Sequence, residues 1–251
     1  MHACTPTDME AIMIDRIRLS HPMRTLIVTA AAIVAASIAP AIASAASAVA
    51  GDTLVFRVAN GYNNEARGQI QYHIDEIDAD RVTVSASTDV PPLGLPRTAV
   101  YTKDGNWLRH TLTNHDQPVE YEFSPPYPAY VFPLETGKSW SLRVTATNPV
   151  TGQRNSVRVD GEVLGSERIS TPAGAFDTIK VRRRVYAGDW ESFRRETNIA
   201  ETDWYAPALG RVVRTDSKSS WTDPTRCTPN DCGFRGDWNV FELVEIRSGK
   251  P

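Results

Sequence analysis

The chain has 251 residues, a formal net charge of −3 and 23% charged side chains. An acidic balance excludes the ordinary nucleic-acid binders, because neutralising phosphate demands a basic footprint. A chain with 41% hydrophobic residues can bury enough surface to fold without a metal or a disulfide scaffold.

Residues 1–22 carry Asp8, Glu10 and Asp15 against Arg16 and Arg18, a poor match to a short basic leader start. The expectation is that translation begins at Met23. From Arg24 the sequence runs through an apolar stretch, Leu26 to Ala39, to Pro40, and then through small residues with repeated A-x-A spacing up to Ala50. A basic start, a short apolar run and a small-residue cleavage zone are the parts of a secretory signal peptide. The run before Pro40 is shorter than the roughly 20 residues a helix needs to cross a bilayer. Residues 1–50 are therefore read as a leader, with the signal peptide at about 23–50, and residues 51–251 as a single β-rich domain. The processed protein is expected to be periplasmic or secreted, with no membrane span.

Beyond the leader, strand signals dominate. Thr53–Val58, Gln69–Ile77, Arg81–Ser87, Thr98–Thr102, Trp107–Leu112 and Val119–Phe123 are short β-branched and aromatic runs separated by turn residues. Lys103-Asp104-Gly105-Asn106 marks a hairpin. Two proline-rich connectors, Asp89–Arg97 and Ser124–Pro133, should be irregular or lie at an edge. Ser139–Thr147, Ser156–Leu164, Arg168–Ser170, Phe176–Tyr186, Phe193–Trp204, Arg211–Lys218 and Trp238–Arg247 complete the set. Such spacing predicts an all-β antiparallel meander, forming a barrel or a strongly curved open sheet. Gly51–Val58 and Gly137–Val144 echo each other, each opening on a glycine and closing on Arg-Val.

Phe176–Tyr186 alternates most clearly. Ile179, Val181, Arg183 and Val185 share a mainly apolar face that should meet the core. Lys180, Arg182 and Arg184 share the opposite face, which should meet solvent or a wet concavity. Cys227 and Cys232 are the only cysteines past the leader. In an oxidising compartment they should pair, and closing so short a loop contributes about 2 kcal/mol.

The segment Ile169–Val181 contains T-P-A-G-A-F-D-T-I-K-V. It resembles the T-P-A-G-x-F-D-x-x-K-V signature of an uncharacterised family of bacterial exported proteins, a domain of unknown function. Phe132–Trp140 and Trp204–Arg214 are similar to two further segments of that family. The resemblance implies a curved antiparallel sheet akin to the periplasmic lipoprotein-carrier fold, and no activity. The same residues also have a plain physical reading, as turn formers beside the large apolar anchors Phe176 and Trp140.

Chemistry is harder to find. His73 with Asp75, Glu76, Asp78 and Asp80 is the densest cluster of oxygen and nitrogen donors, but it lacks a calcium-loop spacing and reads as a strand end with its turn. His110 and His115-Asp116 have no G-x-S-x-G partner, and a solvated hairpin histidine is the simpler account. Asp223, Asp231 and Asp237 read as turn formers. Lys180, Arg182 and Arg184, with Arg194 and Arg195, could form a cationic patch for an anionic headgroup or glycan, or a solvated face neutralised by Glu191, Glu196 and Glu201. Tyr127, Tyr130, Phe132 and Trp140 could line the mouth of an apolar pocket or simply pack under the connector. The expectation is a non-catalytic domain without cofactor or metal, accommodating a lipid or other amphiphilic envelope component. An envelope hydrolase and a structural assembly partner are the alternatives.

Overall fold

A computed structural model describes residues 49–90, 95–112, 119–189, 194–228 and 232–249. The leader up to residue 48, and the readings that fall on His115, Asp116, Glu191, Phe193 and Asp231, lie outside the described residues. Every regular element among those described is a strand: β1 (Thr53–Asn60), β2 (Ala66–Ile77), β3 (Arg81–Thr88), β4 (Thr98–Thr102), β5 (Trp107–Thr111), β6 (Glu120–Tyr127), β7 (Ser139–Thr147), β8 (Arg154–Thr171), β9 (Gly174–Gly188), β10 (Arg195–Ala206), β11 (Arg211–Thr222) and β12 (Gly233–Arg247). Each pairs antiparallel with its sequence neighbour, and β1 pairs with β12. The expected meander is thus a closed barrel of 12 strands rather than an open sheet.

The strands follow the predicted runs, with instructive differences. Ser156–Leu164 and Arg168–Ser170 are one strand, β8. It continues because a bulge between Val163 and Gly165 leaves Leu164 out of the ladder and lets Gly165 pair with Lys180. β6 extends into the proline-rich connector as far as Tyr127, but Pro125 and Pro126 take no place in either neighbouring ladder, as their missing N–H groups require. β12 starts at Gly233, ahead of the predicted run Trp238–Arg247.

An 8-stranded barrel is just filled by its own side chains, and a wider one leaves space unless something occupies it. Here large groups enter from the connector after β6. Tyr127 and Ala129 are fully buried and Tyr130 nearly so. They join the largest apolar cluster with Val144, Val157, Val159, Val163, Val181 and Val185. Trp140 covers Gly161 of the adjacent strand so closely that a Cβ there would overlap the indole.

The T-P-A-G segment forms the tip of the long β8–β9 hairpin. Gly174 has φ 137°, a value that favours glycine. Ala173 N donates to Leu243 O at 3.4 Å, and Ile169, Ala173 and Phe176 pack on Leu54, Phe56, Leu209, Val213 and Leu243. The signature-like residues therefore build a turn and the apolar anchor that fastens it to β12. Cys227 and Cys232 form a disulfide in the β11–β12 connection, with Cα atoms 4.3 Å apart.

Candidate functional site

Alternation on the strands decides what faces the barrel lumen. The lumen holds a cavity of about 300 Å³. Strands β1–β5 supply it with Leu54, Phe56, Tyr72, Ile74 and Val84, an apolar wall. Strands β9–β12 supply Arg183, Glu201, Asp203, Thr215, Ser217 and Asn239, beside Ile199, Val212 and Phe241. The cavity is amphipathic, with its charged groups gathered on β9–β12.

An aromatic collar marks the end where the connector enters. Trp107 stacks on Tyr127 at 4.1 Å and on His110 at 4.2 Å between ring centroids. Tyr130 lies 5.2 Å from Tyr205, and Phe132 lies 5.8 Å from Tyr205. His110 is not a solvated hairpin histidine. Its ring lines the cavity against Trp107, burial pushes its pKa down to about 4, and its Nδ1 lies 2.7 Å from Thr111 O.

The polar wall is organised by Arg183. Its guanidinium contacts Glu201 at 3.0 Å and Asp203 at 2.8 Å, and donates to Ala129 O at 3.2 Å. Tyr130 Oη donates to Asp203 at 2.5 Å and Thr215 Oγ1 donates to its other oxygen at 2.8 Å. Burial would push the Arg183 pKa down. The adjacent Asp203 and Glu201 charges override this and hold it well above its ordinary value. Glu201 is raised, chiefly by burial and against the pull of Arg183. Burial, and next the Glu201 charge, hold the Tyr127 pKa well above its ordinary value against the pull of Arg183, yet its Oη makes no hydrogen bond of sound geometry with any described residue.

Of the residues singled out in the sequence, Tyr130 lines the cavity, Tyr127 packs beneath the collar, and Phe132 sits at its outer edge, 40% exposed. Trp140 stands behind them, donating from Nε1 to Pro128 O at 3.2 Å. Lys180, Arg182 and Arg184 lie on the outer face of β9, away from this aromatic group. Arg182 pairs with Glu162 at 2.6 Å and Lys180 with Glu167 at 3.5 Å, while Lys180 also covers the Trp204 ring at 4.7 Å. The structure therefore does not join the cationic set to the aromatic set. It also corrects the expected neutralising partners: Glu201 points into the lumen, and the partners of Lys180 and Arg182 are on β8.

The donor cluster near His73 is dispersed in the same way. His73 Nδ1 meets Thr53 Oγ1 at 2.9 Å, Asp75 accepts from Ser85 at 2.9 Å, and Asp78 accepts from the amides of Asp80 and Arg81. Asp223 likewise accepts from Thr225 N at 2.9 Å in its turn, whereas Asp237 lines the cavity and pairs with Arg67 at 3.1 Å. Among the described residues no group of three or more His, Cys, Asp or Glu side chains is gathered to hold a metal.

No protein-family model matches the chain, and no curated protein matches it. The chain is similar in fold to three solved structures. A candidate lipoprotein of Parabacteroides distasonis shares 15% identity over 80% of this chain and 97% of its own, with a TM-score of 0.44. An exported protein with a YmcC-like fold from Bacteroides fragilis shares 16% over 81% and 98%, at 0.44. The hypothetical lipoprotein YmcC of Escherichia coli shares 12% over 78% and 85%, at 0.41. What the site can do follows from its own residues.

Proposed function

We propose that this chain works outside the cytoplasm as a non-catalytic barrel that holds one small amphiphilic molecule in its lumen. The amphipathic cavity carries the reading: a void of about 300 Å³ with an apolar wall on one side and hydrogen-bonding groups on the other. That volume is at the small end of ligand pockets, so the occupant is a single short-chain or compact amphiphile rather than a two-chain lipid.

Three further features support it. The apolar stretch and A-x-A sites of residues 23–50 suit export. The Cys227–Cys232 bond suits an oxidising compartment. The outer face carries Arg57, Arg158, Asp160, Glu162 and Arg182, whereas a membrane-spanning barrel turns an apolar band outward. Glu201 and Asp203 are two carboxyls in a cavity, which is the raw material of a hydrolase. Both are engaged by Arg183, and Asp203 is further saturated by Tyr130 and Thr215. A positioned acid and base need free lone pairs toward substrate, and these have few.

Titration with a fluorescent apolar probe tests the reading. The chain should bind one equivalent, and Val84→Trp, which fills the cavity from the apolar wall, should abolish binding while melting cooperatively. Ser217→Phe, filling it from the opposite wall, should do the same. Probe binding that survives both substitutions lies elsewhere and defeats the proposal.

A further inference from the structure

Two arginines with very different surroundings face the lumen. Arg183 is satisfied by two carboxylates and a carbonyl. Arg211 also lines the cavity, yet its guanidinium forms no hydrogen bond or ion pair with any described residue. It is the first residue of β11, following the turn Pro207–Gly210. That turn is fixed by amide bonds from Leu209 to Ala206 O and from Gly210 to Pro207 O, both 3.1 Å, and by the buried Leu209 side chain. The backbone that carries the guanidinium is therefore fixed, and the guanidinium has no partner among the described residues.

Its neighbours are phenols. The Arg211 charge acts on Tyr101, Tyr205 and Tyr130, which line the same end of the cavity. Burial pushes Arg211 below its ordinary pKa against the influence of those rings, and pushes Tyr101 up to about 12. Tyr101 and Tyr205 stay protonated, and their hydroxyls form no hydrogen bond with described residues. Asp104, on the β4–β5 turn, is felt by Tyr205 but forms no ion pair with Arg211. An unpaired, partly desolvated cation beside free O–H donors is costly in the empty state. An anion restores what it lacks, and a guanidinium suits a carboxylate or phosphate through two parallel hydrogen bonds.

We infer that Arg211, with the Tyr101 and Tyr205 hydroxyls, receives the anionic headgroup of the lumen's occupant, whose chain lies along Leu54, Phe56, Tyr72 and Ile74. The ligand is thus a single-chain acidic amphiphile bound head-outward at the collar. Glu201 and Asp203 are already paired with Arg183, so neither competes with the headgroup for Arg211. This assignment rests on the lumen-binding reading above and specifies its ligand.

Calorimetric titration of the purified chain with decanoate, decyl phosphate and decanol tests it. Decanoate or decyl phosphate should bind at least about tenfold more tightly than decanol, the gain expected of a hydrogen bond to a charged group. Their order identifies whether carboxylate or phosphate is the better fit. Arg211→Met should abolish the preference while leaving decanol affinity within about twofold, and Arg211→Lys should restore part of it. Tyr101→Phe should reduce the preference by about threefold with the melting curve unchanged. Equal binding of all three probes, or a preference that persists in Arg211→Met, overturns the headgroup assignment and leaves lumen binding intact. Binding of none of the three overturns both.

Discussion

The wall formed by β1–β5 presents Leu54, Phe56, Tyr72, Ile74 and Val84 to the lumen, whereas the wall formed by β9–β12 presents Arg183, Glu201, Asp203, Thr215 and Asn239. Both arise from the same period-two alternation, and they obey different tolerances. The apolar wall is stabilised by area removed from water, and a neighbour can shift to fill a small loss. The polar wall depends on every partner being present, since one missing partner leaves the rest desolvated and unpaired. The difference predicts where the barrel is brittle.

The largest effect should come from the polar wall. Arg183→Met removes the only cation among the described residues in contact with both Glu201 and Asp203. Breaking a buried pair from one side costs about 3–5 kcal/mol, read as a lowered midpoint in urea at pH 7. Adding Glu201→Gln and Asp203→Asn to the same chain should recover most of that loss, because the orphaned charges are then gone. A loss below about 1 kcal/mol in the single variant would mean that water reaches the network, and the two walls would no longer differ in kind.

The next effect belongs to the apolar wall and has a pH signature. His110 is held neutral by burial, its pKa pushed down to about 4. Its ordinary value is about 6.5, so the unfolded chain takes up the proton first as pH falls. The stability it contributes is complete above about pH 6.5 and is lost progressively as pH falls toward 4. Between pH 7 and pH 5 the loss should be about 2 kcal/mol at most, reduced by whatever water reaches the ring through the cavity. His110→Phe keeps a ring against Trp107 and should remove this slope. Glu201 works in the opposite direction. Burial raises its folded pKa, so its contribution is favourable in acid and falls as pH rises through that raised value. Urea midpoints of the native chain, His110→Phe and Glu201→Gln across pH 4.5–7.5 should separate the two slopes. The same sign of change in both variants would contradict the assignment.

How much of this can be read from sequence follows from where each residue sits. The alternation of Phe176–Tyr186, the Asp-Gly hairpin and the cysteine pair are local signals, and the structure repeats them. Closure into a barrel is not local. It requires Thr53 to pair with Arg247 and Asn60 with Asn239, and nothing in either strand names the other. The polar wall is hidden for another reason. In Ile199–Tyr205 the large apolar Trp204 faces outward, where its Nε1 donates to Glu167 at 2.5 Å, while Glu201 and Asp203 face inward. Ile199 and Tyr205 share that inward face, and Trp204 is itself buried, so a hydrophobic count on this strand does not separate its two faces. Arg183 is legible, as the charge set among Ile179, Val181 and Val185, with Asp177 farther along the same face. Arg211 is not, because an arginine that opens a strand after a turn resembles any solvated strand end.

The smallest effect sharpens the comparison most, because it changes only one variable. Arg182, Arg183 and Arg184 are consecutive, and alternation alone sends the middle one inward. Arg182 pairs with Glu162 at 2.6 Å, a shorter contact than either ion pair of Arg183, but both of its side chains are well exposed, at 60% and 43%. Exposed ion pairs contribute about 0–1 kcal/mol. Arg182→Ala should therefore shift the urea midpoint slightly or not at all, and 1 M salt should erase the remainder, since the screening length there is about 3 Å. The Arg183→Met loss should persist in the same salt, because a buried pair is screened far less than an exposed one. If the two neighbours instead showed similar, salt-sensitive losses, the ion pair itself would set the energy rather than its burial, and the distinction between lumen and outer face would have no energetic content.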